Sequence, residues 1–127
     1  MIKSEKEALA FFAQTLIANL GNVTFSSCKL EIERQLGMSG FSPTLIDLQG
    51  EETSFRINEK HELHEVIREL YTITQTQPPI HKDWNKAVFT LYPDGKVDME
   101  YIWDAEWQAE LDKLRADFER KRNRRKK

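Results

Sequence analysis

The sequence predicts an α+β fold: one domain in which a mostly antiparallel sheet of about five strands carries helices on one face. Three observations lead there. Apolar residues recur at three- and four-residue steps, then alternate, then return to helical spacing, in the order α-β-β-β-α-β-β-α. The stretches KAVFTLY and KVDMEYIW flank Pro93-Asp94-Gly95, which is a hairpin signal. A chain of 127 residues, 39% hydrophobic, has the size to bury a core without disulfides or metals.

Each element has its own warrant. Over residues 5–20, Leu9, Phe12, Leu16 and Leu20 form a helical stripe flanked by Ala8, Phe11 and Ile17. Ser4 with Glu7 makes a capping-box start and Gly21 a stop. Residues 23–33, VTFSSCKLEIE, alternate as a strand, with Thr24, Ser26, Cys28, Leu30 and Ile32 on one face and Val23, Phe25, Ser27, Lys29 and Glu31 on the other, neither cleanly apolar. Residues 36–43, LGMSGFSP, supply turn formers. TLIDLQ and TSFRIN then read as two short strands around residues 49–52. Asn58 is placed to cap a second helix with Leu63, Val66, Ile67 and Leu70 as its stripe, ended by Pro78-Pro79. In the last strand, Val97, Met99, Tyr101 and Trp103 share one face and Asp98, Glu100, Ile102 and Asp104 the other. Asp104 then caps a final helix striped by Trp107, Leu111, Leu114 and Phe118. The aromatic residues Trp84, Trp103, Trp107, Phe89, Tyr92 and Tyr101 are expected to close a core between hairpin and last helix.

Charge divides the chain in two. Residues 120–127, RKRNRRKK, hold seven of the nineteen basic residues and no acid, leaving residues 1–119 at a formal −9. The domain is therefore expected over 1–119, with a disordered basic tail at 120–127. An acidic body attracts basic partners and repels nucleic acid, whereas the tail alone does the reverse. The first twenty residues lack the continuous apolar run of a signal peptide, and no segment has the pattern of a bilayer span. With a single cysteine, this points to a cytoplasmic protein with no membrane partner.

Motif chemistry is sparse. No glycine loop matches a dinucleotide or Walker pattern. Cys28 has no histidine or acidic orienter at informative spacing and reads as a small buried hydrophobe rather than a nucleophile. His61 and His64 in HELHE stand three apart and lack the zinc-protease spacing, so no metal or cofactor is expected. The carboxylates of Asp98 and Glu100, about 7 Å apart on an ideal strand, leave three readings open: a solvated face, a surface for a basic partner, or an acid/base or metal site. Glu62, Glu65 and Glu69 offer a second acidic patch on the second helix.

The segment from Trp84 to Asp104, W-x-K-x-x-F-T-L-x-P-D-G-K-V-x-x-E-Y-x-W-D, preceded by the helix HELHEVIRELYTI and a proline break, resembles the YezG-like immunity proteins. The likeness spans residues 60–107. Trp103-Asp104, in place of a tyrosine-aspartate ending, and the basic tail depart from the pattern. The resemblance implies a non-enzymatic bacterial antitoxin of contact-dependent toxin systems. Such a protein binds a cognate toxin domain, basic and of nuclease type, and neutralises it by stoichiometric occlusion. Asp94, Asp98, Glu100, Tyr101, Trp103, Asp104 and Glu106 are the expected toxin-binding residues. The alternative is a small regulator that meets nucleic acid through the basic tail.

Overall fold

A computed structural model describes residues 2–35, 38–76 and 83–125, with side chains to residue 122. Helix α1 (Glu5–Leu20) precedes strands β1 (Ser27–Gln35), β2 (Met38–Ile46) and β3 (Glu52–Ser54). Helix α2 (Lys60–Thr76), strands β4 (Lys86–Leu91) and β5 (Val97–Ile102) and helix α3 (Ala105–Arg125) complete the order α-β-β-β-α-β-β-α. The strands form one antiparallel sheet in the order β3-β2-β1-β4-β5.

Alternation decides which sheet face is buried. The register aligns Leu30 with Pro43 and Phe89, Ile32 with Phe41 and Ala87, and Phe89 with Met99. These residues meet Phe12 and Leu16 of α1 and Leu63, Ile67 and Leu70 of α2 in a single core. Phe12 packs edge-on against Phe89 with ring centroids 5.5 Å apart. Trp84 is fully buried, so its indole N–H requires a partner; it donates to the Thr74 hydroxyl at 3.0 Å.

The termini of α1 follow its sequence. Ser4 is the N-cap and its hydroxyl accepts the Glu7 N–H at 3.2 Å. The Glu7 carboxylate reaches back to Lys3 rather than to Ser4, donor to acceptor 2.8 Å. Gly21 ends the helix at φ 68°, a conformation that suits a residue without a Cβ. Gly95 does the same for the β4–β5 turn at φ 89°.

Several expected elements shift. The first strand begins at Ser27 instead of Val23, and its buried positions are Cys28, Leu30 and Ile32. The segment expected to turn at 36–43 instead becomes strand from Met38, with residues 36 and 37 outside the described residues. Pro43 is tolerated within β2 because its carbonyl, and hence its nitrogen, points towards β3: Phe55 N–H donates to Pro43 O at 3.2 Å. No β1–β2 ladder bond is lost. Residues 47–50 form a turn around the Asp47 carboxylate, which accepts the Gln49 and Glu51 N–H groups at 2.9 Å each. That ends the second strand at Ile46, and the third spans only residues 52–54. Helix α2 begins at Lys60 with Leu63 N–H bonded to Glu59 O at 3.0 Å, so Glu59 and not Asn58 is the cap position. The double proline at 78–79 lies outside the described residues.

The aromatic residues do not all close a core. Trp84 and Phe89 are buried, Tyr101 and Trp107 are half-buried, and Tyr92 and Trp103 are exposed. Helix α3 packs through Leu111, while Leu114 and Phe118 stay exposed, because the helix outruns the body it starts on. It continues through Arg125, so residues 120–125 of the basic segment are helical. Among the described residues, no helix is long and apolar enough to cross a membrane.

Candidate functional site

Of the acidic residues singled out in the sequence, Asp98 and Glu100 lie on β5, an edge strand of the sheet. Asp98 and Glu100 are exposed and point away from the helices, since Met99 and Tyr101 between them face the core side. Asp98 pairs with Thr90 and Glu100 with Val88 on β4; these in turn neighbour Lys29 and Glu31 of β1. Lys86 sits between Ile102 and Glu33 in the next row. The face opposite the helices therefore carries four exposed carboxylates, Glu31, Glu33, Asp98 and Glu100, with half-buried Lys29, Val88 and Lys86 among them. Glu31 and Glu100 stand two strand spacings apart, about 10 Å. Glu31 and Glu33 were not among the expected site residues. Their signal was the alternation that sets Glu31 beside Lys29; what places them near β5 is the β1–β4 register.

The other expected site residues have different positions. Asp94 lies in the β4–β5 turn, where its carboxylate accepts the Lys96 N–H at 3.0 Å and so shapes the turn. Tyr101 faces the helices: its hydroxyl donates to Glu5 Oε2 at 2.6 Å and its ring leans on Trp84. Burial, followed by the adjacent Glu5 carboxylate, pushes the Tyr101 phenol above its ordinary range. Asp104 caps α3 by accepting the Trp107 N–H at 3.0 Å and takes the Lys86 ammonium at 2.9 Å. Those two bonds, the Trp107 N–H first, hold its carboxyl below the usual carboxylate range. Asn85, itself buried, brackets Asp104 by donating to its carbonyl at 2.9 Å and accepting its N–H at 2.8 Å. Glu106 is exposed in the first turn of α3. Trp103 opens on a different surface, a cleft between α2 and α3.

The remaining chemical candidates are accounted for by packing. Burial raises the Cys28 thiol to about 12, so it stays protonated and unreactive at neutral pH. His61 pairs with Glu65 at 3.1 Å on the outside of α2, and His64 Nδ1 meets the Ser39 hydroxyl at 2.6 Å. His81 lies outside the described residues. Of the second acidic patch, Glu65 is engaged by His61 and Glu69 accepts the Ile2 N–H at 3.0 Å, which leaves Glu62 exposed. Among the described residues, no three His, Cys, Asp or Glu side chains are grouped to hold a metal ion.

Fold and site together define a small α+β domain with α1 and α2 on one sheet face and an acidic surface on the other. No protein-family model matches the chain, and no curated protein matches it significantly.

Proposed function

We propose that this protein is a non-enzymatic immunity module that binds a basic toxin domain, of the nuclease type, and neutralises it by stoichiometric occlusion. The observation that carries this reading is the sheet face formed by β1, β4 and β5 opposite α1 and α2, where Glu31, Glu33, Asp98 and Glu100 are all exposed. A nuclease needs cations to hold phosphates, and a surface of carboxylates on a body of formal −9 complements them and steers their approach. Val88 adds an apolar centre between Glu31 and Glu100. Among the described residues β5 pairs only with β4, so its outer edge offers backbone groups to an added strand. The resemblance of Trp84–Asp104 to immunity proteins points the same way.

Asp98→Lys combined with Glu100→Lys tests the reading. Both side chains are exposed, so folding is expected to persist while partner capture from a lysate of the producing cells is lost. Normal capture by the double variant would remove β5 as the binding strand. A regulator that meets nucleic acid is the second reading, favoured by the continuation of α3 through the basic residues 120–125. It requires salt-sensitive nucleic-acid binding that disappears when residues 120–127 are deleted.

A further inference from the structure

We infer that the cleft between α2 and α3 binds an anion that carries an aromatic ring, with the chemistry of a nucleoside monophosphate. The cleft encloses about 560 Å³, within the range that holds a small ligand. Three arginines line it: Arg34 from β1, Arg68 from α2 and Arg115 from α3. Arg34 is fixed in place. Its guanidinium carbon lies 3.2 Å from the Tyr71 ring centroid, and its Nη1 donates to Trp84 O at 2.8 Å. Arg68 and Arg115 are exposed and make no ion pair among the described residues.

The carboxylates of the same cleft make no ion pair with these arginines among the described residues. Asp83 accepts the Tyr71 hydroxyl at 2.7 Å and the Trp84 N–H at 2.8 Å. Asp112 accepts from the Gln108 amide at 3.1 Å. On a body whose formal charge is −9, a cleft lined by three arginines against two aspartates is locally positive. Cations gathered in one cleft repel one another, and an anion bound among them offsets that repulsion. Phosphate matches the planar fork of arginine in two-bonded geometry.

The ring follows from Trp103. Its side chain lines the cleft and is 48% exposed, so a flat apolar surface stands beside the cations. A bare phosphate leaves that surface in water, whereas a base attached to the phosphate stacks on it. The inference does not depend on the proposed partner-binding face, which is carried by Glu31, Glu33, Asp98 and Glu100 of β1 and β5.

Amide chemical-shift titration of the full chain tests it, with adenosine 5′-monophosphate, adenosine and inorganic phosphate as probes. The monophosphate is expected to shift amides at Arg34, along α2 from His64 to Thr72, at Trp103 and along α3 from Gln108 to Arg115. Adenosine and phosphate are each expected to bind about tenfold more weakly, since each makes half of the contacts. Arg68→Gln with Arg115→Gln, two exposed helical positions, should weaken the monophosphate about tenfold and leave the remaining spectrum unchanged. No localised shift, or a response that survives the double substitution, overturns the site. Phosphate binding as well as the monophosphate overturns the stacking on Trp103.

Discussion

At the scale of single residues, local partners were legible in the sequence and distant ones were not. Asp104 was readable as a helix cap because a cap needs only the next three residues, and its carboxylate does accept the Trp107 N–H. The bond from Tyr101 to Glu5 joins positions 96 apart in the chain and exists only once α1 has packed beside β5. No spacing rule reaches that far. Cys28 gives the prediction that belongs at this scale. Its folded thiol is raised from 9.0 to about 12 by burial. Between those values the unfolded chain has released the proton and the folded chain has not, so the unfolded state binds fewer protons and stability falls as pH rises. Tyr71 and Tyr101, also raised by burial, act in the same direction at still higher pH. Denaturant melts at pH 7 and pH 10.5 should show the wild type losing stability. Cys28→Ala, less stable at neutrality for want of the sulfur, should lose less on going to the higher pH. Equal losses in both proteins would remove Cys28 from the alkaline limb.

Elements were read well where one period dominates and poorly where residue type and tertiary context conflict. The stripes of α1 and α2 predicted Phe12, Leu16, Leu63, Ile67 and Leu70, all of which are fully or almost fully buried. The β4–β5 hairpin was readable from Pro93-Asp94-Gly95, because few sequences other than a turn place glycine where φ is positive. The segment from Met38 to Pro43 failed the same logic. Ser39, Gly40, Ser42 and Pro43 are turn formers by propensity, yet each pairs with β1, which holds the segment extended. Its proline escapes cost by directing its nitrogen away from that pairing. Central packing carries the energetic weight of these elements. Phe89 lies on a strand paired on both sides and meets Phe12 edge-on, so Phe89→Ala should cost about 3–5 kcal/mol in chemical denaturation. Ser4→Ala removes only the cap hydroxyl of α1 and should cost about 1 kcal/mol. A ranking in the opposite order would mean that the core between α1 and β4 is not where the stability resides.

Across the whole molecule, element order was legible but strand order was not. The sequence separates β1 from β4 by an entire helix and two strands, yet β1 is the central strand and β4 its neighbour. This pairing brings Glu31 and Glu33 onto the same surface as Asp98 and Glu100, and so extends a two-residue strand feature into a four-carboxylate face. The division of charge, by contrast, was visible from composition alone, because it depends on no contact. If that extended face receives a basic partner, the β1 carboxylates must matter as the β5 ones do. Glu31→Lys with Glu33→Lys should therefore weaken the partner by at least about tenfold, chiefly through slower association, and reduce the dependence of that rate on salt. Stability should move little, since both side chains are exposed and neither makes an ion pair among the described residues. Stopped-flow association at two ionic strengths distinguishes the cases. A slower rate with a shallower salt dependence places the β1 row in the encounter surface. Full-rate binding by this variant, alongside lost binding for the Asp98→Lys, Glu100→Lys pair, would confine the interface to the β5 edge and its free backbone groups.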